Sequence, residues 1–106
     1  MDDDPNVINV DVDAATAKGY GDAYMEQGDY ANAIGSYQDA LNQGPDADLT
    51  VRCHYNMANA YRHLGDQANC ATHAMEVCRY HDDEIQKYGL RLYYWSQTGE
   101  QIPNLN

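Results

Sequence analysis

Two Gly-Asp dipeptides, Gly28-Asp29 and Gly65-Asp66, stand 37 residues apart, and each separates two stretches whose apolar residues recur at three-and-four spacing. Before the first corner the pattern is Ala17, Tyr20, Gly21 and Tyr24, with Asp13 placed to cap it; after the corner it is Ala33, Ile34, Tyr37, Ala40 and Leu41, reaching about Asn42. A connection of two residues leaves room only for an antiparallel partner, so the chain is predicted to be built from helical hairpins. Gly44-Pro45 closes the second helix, and Asp46 or Asp48 caps a third that carries Val51, His54, Tyr55, Met57, Ala58 and Tyr61 to about Leu64. The fourth is expected from about Gln67 to Tyr80 through Cys70, Ala71, Ala74, Val77 and Cys78. The acids of His81-Asp82-Asp83-Glu84 suit a helix N-terminus and open a fifth helix through Ile85, Tyr88, Leu92 and Trp95, stopping at Gly99. The fold class expected from these periods is all-α, with about five helices.

Laying one corner on the other superposes Tyr20-Gly21-Asp22-Ala23-Tyr24 on Met57-Ala58-Asn59-Ala60-Tyr61, and Ala33 on Cys70. A shift of 34 residues onto Gly99-Glu100 sets Leu92 on Ala58 and Trp95 on Tyr61. Small residues at Gly21, Ala33, Ala58 and Cys70 let the paired helices approach closely. The whole pattern resembles the tetratricopeptide repeat family, whose unit is a helix-turn-helix of about 34 residues. Tyr20-Gly21, Tyr24, Gly28-Asp29-Tyr30, Ala33-Ile34, Tyr37, Ala40-Leu41 and Pro45 carry the likeness in the first unit; Ala58, Tyr61, Gly65 and Asp66 carry it in the second, after an insertion around Pro45 to Leu49. The resemblance covers about residues 14–100. It implies antiparallel helix-turn-helix repeats stacked as a short right-handed solenoid, two full repeats and a C-terminal capping helix. Residues 13–100 are then one domain between a mobile acidic arm, 1–12, in which Val7, Ile8, Val10 and Val12 offer at most a short edge strand, and a flexible tail, 101–106.

Charge narrows the function. The 106 residues hold 17 acids against 6 bases, a formal net charge of −11. Nucleic acid and anionic membranes are poor partners for such a chain, because affinity for either comes from Lys and Arg. The excess is uneven: residues 1–51 carry 11 acids and Lys18 alone, whereas residues 52–106 carry 6 acids and 5 bases. No apolar run approaches the roughly 20 residues of a membrane span. The start, Met1-Asp2-Asp3-Asp4-Pro5, lacks the basic head and apolar stretch of a secretion signal, so a cytoplasmic location is expected. Three cysteines, an odd number, read as reduced core thiols. Cys53-His54, Cys70, His73, Cys78 and His81 are wrongly spaced for a compact zinc motif; Cys70 and Cys78, on one helix, lie about 12 Å apart. No glycine-rich phosphate loop and no nucleophile on a strained turn is present. The chain is therefore expected to have no catalytic activity, metal or cofactor.

The resemblance also implies that the first helix of each unit lines a concave groove. By position this face holds Lys18, Asp22 and Met25, then Arg52, Tyr55, Asn56, Asn59 and Arg62, with Gln86 from the fifth helix and Lys87 and Arg91 close by. Five of the six bases thus fall on or beside one face of an acidic chain. Some members of the family clamp a partner's terminal carboxylate. Lys18 and Asn56 match clamp positions, but Asp22 stands where those members have Asn, and Gln86 and Leu90 stand at the last two places, which Lys87 and Arg91 regain only if the fifth helix slips by one residue. Asp22 would repel a carboxylate. The expected function is that of an adaptor holding a peptide segment of a partner protein. Arg52 and Arg62 would meet carboxylates or carbonyls, Asn56 and Asn59 the peptide backbone, and Tyr55 and Met25 apolar side chains. Two alternatives stay open: self-assembly, for example a homodimer, through Tyr93 and Tyr94 of the terminal aromatic helix, and recognition of a basic partner by the acidic first half.

Overall fold

A computed structural model describes residues 13–100. Among these residues five helices follow one another: α1 Ala14–Glu26, α2 Tyr30–Asn42, α3 Ala47–His63, α4 Gln67–Cys78 and α5 Asp83–Thr98. The described residues contain no strand, and none of their helices is long and apolar enough to cross a membrane. The expected arm, 1–12, and tail, 101–106, lie outside the described residues.

The two Gly-Asp corners are the same object, bond for bond. Gly28 and Gly65 take φ of 76° and 75°, the left-handed region that a side chain disfavours. That bend lets Gly28 N–H donate to Met25 O (3.0 Å) and Asp29 N–H to Tyr24 O (2.9 Å), while Gly65 donates to Arg62 O (3.0 Å) and Asp66 to Tyr61 O (2.9 Å). Both are Schellman closures, which satisfy the last carbonyls of one helix. The Asp then starts the next helix: Asp29 Oδ1 accepts from Asn32 N–H at 3.3 Å and Asp66 Oδ1 from Asn69 N–H at 3.1 Å. Asn32 and Asn69 add a side-chain bond to the other carboxylate oxygen, at 2.7 and 2.8 Å. Asp13, Asp46 and Asp82 cap α1, α3 and α5 in the same way.

The end of the chain departs from this. Gly99 is also left-handed, at φ 77°, yet it donates straight back to Trp95 O and Glu100 N–H turns to the Thr98 hydroxyl, so the paired bonds of the two Gly-Asp corners are not repeated there. Helix α4 stops at Cys78, short of the expected Tyr80, because Asp82 must take an extended backbone to cap α5 and the intervening residues close a turn between Asp82 N–H and Tyr80 O.

Each helix packs on its successor, and α3 also touches α1 and α5. The helices therefore form two layers, α1, α3 and α5 in one, α2 and α4 in the other. One core cluster holds Ala17, Ala33, Tyr37, Ala40, Cys53 and Met57; a second holds Ala58, Cys70, Ala74 and Leu92. Because α3 supplies residues to both, it is the shared wall of the stack. The two hairpins fill the same space differently. A Cβ on Gly21 would sit 2.5 Å from the Tyr37 ring, whereas the equivalents in the second hairpin are Ala58 and Ala74, both fully buried. Ala74 can be small because α5 comes down onto α4: a Cβ on Gly89 would lie 2.9 Å from the Cys78 backbone N and 3.1 Å from Ala74 O.

Candidate functional site

The layer of α1, α3 and α5 carries two adjoining cavities. The larger, about 460 Å³, is lined by Lys18, Asp48, Val51, Arg52, Tyr55, Asn56, Ile85 and Tyr88, with Val77 of α4 behind them. The smaller, about 170 Å³, is lined by Tyr55, Asn59, Arg62, Tyr88, Arg91 and Leu92. Tyr55 and Tyr88 border both; their ring centroids are 5.7 Å apart and tilted by 59°. Helical spacing explains the arrangement: Tyr55, Asn59 and Arg62 form a stripe at i, i+4 and i+7 on α3, facing Tyr88 and Arg91 at i and i+3 on α5.

Charge is distributed unequally between the two. At the α1 end, Asp22 accepts from three side chains: Lys18 Nζ at 2.8 Å on Oδ2, and the Tyr37 hydroxyl at 2.6 Å and Asn56 Nδ2 at 3.3 Å on Oδ1. Burial, with the Asp22 carboxylate beside it, pushes the Tyr37 hydroxyl well above the usual tyrosine range, so it remains a donor at any ordinary pH. Arg52 pairs with Asp48 at 3.0 Å one turn away. The cations of the larger cavity are thus already compensated. In the smaller one, Arg62 donates from Nε (3.1 Å) and Nη2 (3.0 Å) to the single oxygen Oδ1 of Asn59, a neutral brace that orients the guanidinium without cancelling its charge. Among the described residues neither Arg62 nor Arg91 forms an ion pair.

Seven of the residues expected on the groove line these cavities: Lys18, Arg52, Tyr55, Asn56, Asn59, Arg62 and Arg91. Asp22 lies behind Lys18 and Asn56 as their acceptor. Met25 packs against the first core cluster, and Lys87 pairs with Glu84 at 3.2 Å. Gln86 donates to Tyr80 O at 2.7 Å, tying down the turn before α5, and Leu90 is exposed. Tyr88, Val77 and Ile85 were not among the expected groove residues. The signal for Tyr88 was its place one turn before Arg91.

Elsewhere, the described residues contain no group of three or more His, Cys, Asp or Glu able to hold a metal ion. His54 and His73 meet across α3 and α4 with Nδ1 atoms 2.9 Å apart, and Tyr61 stacks on His73 at 5.6 Å. Cys53, Cys70 and Cys78 are free thiols; burial pushes Cys53 and Cys70 up to about 11, far from the thiolate form that a nucleophile needs.

The profile of the tetratricopeptide repeat family matches residues 13–79. No curated protein and no solved structure matches the chain.

Proposed function

The chain belongs to the tetratricopeptide repeat family, and from that premise we propose that it is a non-catalytic adaptor that holds an extended segment of a partner protein against the layer of α1, α3 and α5. On this reading the hairpins α1–α2 and α3–α4 are two full repeats and α5 is the helix that caps them. The observation that carries the proposal is the pair of adjoining cavities with a common aromatic wall, Tyr55 and Tyr88. Such a wall provides apolar area at little entropic cost. Asn59 keeps its amide N–H donors unused among the described residues, so it can bond a peptide carbonyl while its oxygen braces Arg62. The three free thiols suit a reducing compartment such as the cytoplasm.

Linear peptides selected by display on the immobilised full chain test the proposal. Their affinity should fall by about tenfold or more in Tyr55→Ala with Tyr88→Ala, the loss of a hot-spot contact, and should be unchanged by Met75→Ala on the opposite layer. Asn59→Ala should weaken binding with melting unaltered. Peptides that depend on Met75 and ignore Tyr55 and Tyr88 would overturn the reading.

A second reading has its own observation. Leu90 and Tyr94, one turn apart on α5, are 48% and 38% exposed, while Tyr93 and Trp95 pack against the second core cluster. Self-association would therefore run through Leu90 and Tyr94, and sedimentation over a range of concentrations, with Leu90→Gln as control, distinguishes it from a monomeric adaptor.

A further inference from the structure

We infer that the segment held in this groove carries an acidic side chain two positions from an apolar one, the carboxylate seated between Arg62 and Arg91 and the apolar group in the larger cavity. The inference rests on the peptide-binding reading and adds which chemistry is bound and where.

Charge compensation is the first step. Of the five bases on or near this face, Lys18, Arg52 and Lys87 each have a carboxylate within 3.2 Å, and only Arg62 and Arg91 have none among the described residues. They line the same small cavity, to which no acidic residue contributes. In a chain of net charge −11, a pocket with two guanidinium groups and no carboxylate has one complementary occupant, an anion. Asn59 fixes the rotamer of Arg62, so part of the ordering cost is met before a ligand arrives.

Size and field select the kind of anion. At about 170 Å³ the cavity is below the roughly 300–1,000 Å³ of sites that engulf a small molecule, and it suits one side chain of a larger ligand. A phosphorylated side chain would bring a charge of about −1.5 to −2 into the field of an acidic protein, whereas a carboxylate brings a single charge and matches a guanidinium fork with both oxygens. An Asp or Glu side chain is the occupant.

Spacing follows from the shared wall. Both cavities open on either side of Tyr55 and Tyr88, and the larger is walled by Val51, Val77 and Ile85 beside those rings. In an extended peptide, side chains two positions apart point to the same side about 6.6–6.8 Å from one another. One residue can therefore enter each cavity while the residue between them faces solvent.

The test uses the full chain and a degenerate nonapeptide library, acetylated and amidated so that no terminal charge contributes. Bound peptides should be enriched in Asp or Glu two positions from an apolar residue. A fluorescent peptide from that set should bind about tenfold more weakly to Arg62→Gln or Arg91→Gln, and its Glu→Gln version should bind wild type and both variants alike within about twofold, as a charge-assisted contact requires. Lys18→Gln should leave the acidic preference intact. Binding that needs Tyr55 and Tyr88 without preferring an acid overturns this inference alone. A preference for phosphoserine over Glu, or an acidic preference that disappears with Lys18→Gln, also overturns it. A library from which nothing binds through Tyr55 and Tyr88 overturns the groove reading together with the inference.

Discussion

Asp22 accepts from Lys18, Tyr37 and Asn56 at once, so the two residues that match a carboxylate clamp already hold a carboxylate from their own chain. A substitution that at sequence level merely spoils a clamp becomes, in the fold, the acceptor that satisfies the buried Tyr37 hydroxyl. The pair His54 and His73 shows the same dependence of a residue on its surroundings. With Nδ1 atoms 2.9 Å apart, one ring must donate and the other accept, so the accepting ring cannot take a proton on Nδ1, and the two rings cannot both be doubly protonated, without breaking the bond. Burial lowers the pKa of His54, and burial followed by the charge of its neighbour lowers that of His73; Glu76 opposes both. Below about pH 6.5 the unfolded chain takes up protons at these rings before the folded one does. Stability is therefore level above that pH and falls as acid is added through the interval down to the folded-state values. His63, lowered by burial and by Arg62, contributes in the same sense. Thermal melting between pH 8 and pH 5 should show the midpoint dropping on the acid side, and His54→Asn with His73→Asn should reduce the drop. An equal drop in the double variant would assign the effect elsewhere.

At the scale of the element, two helix-interior glycines separate helix propensity from packing. A Cβ on Gly35 of α2 meets nothing within 4 Å, while one on Gly89 of α5 meets Cys78 N and Sγ at 2.9 Å. Gly35→Ala removes an entropic penalty and should stabilise the protein by about 0.5–1 kcal/mol. Gly89→Ala gains the same term but forces α5 off the α4 backbone, and overpacking of about 1–3 kcal/mol should outweigh it. Urea midpoints measured for both variants should move in opposite directions; a stabilising Gly89→Ala would mean that α5 can shift without loss. The contrast also marks what the sequence made legible. Helix spans and both corners could be read because Gly-Asp and the three-and-four spacing act within a few residues of themselves, as could the small positions Gly21, Ala33, Ala58 and Cys70. Gly89 could not, since its need for a missing Cβ arises only when α5 lies on α4. Repeat alignment, which set Leu92 on Ala58, gave no sign of Gly89. Tyr88 escaped for a related reason: as an aromatic on a terminal helix it reads as a cap, and only the facing stripe on α3 turns it into a wall. Likewise Arg91 reaches the cavity without Lys87, because Glu84, one turn earlier, holds the lysine.

Helices that touch only near neighbours in the chain give a nearly one-dimensional stack, whose stability is a sum of units and of the interfaces between them. Charge is graded along that stack. Residues 13–51 hold seven acids and Lys18, a net of −6, whereas residues 52–100 hold six acids and five bases, a net of −1. The first hairpin therefore experiences most of the self-repulsion. Salt acts on two opposed terms. It weakens the four ion pairs of the described residues, all between residues three or four apart and each worth about 0–1 kcal/mol, and it screens the repulsion among acids such as Glu26 and Asp39 that form no ion pair among the described residues. With charges this unbalanced, screening should win, and the urea midpoint should rise as sodium chloride goes from about 0.01 M to about 0.5 M, where the screening length has shrunk from about 30 Å to under 10 Å. Glu26→Gln with Asp39→Asn should raise the low-salt midpoint and flatten the rise, which separates charge screening from any general effect of the salt on burial. If the midpoint falls with salt, or rises with the same slope in the variant, the acidic half is held by its ion pairs or by solvent effects, and repulsion along the stack is not what limits its stability.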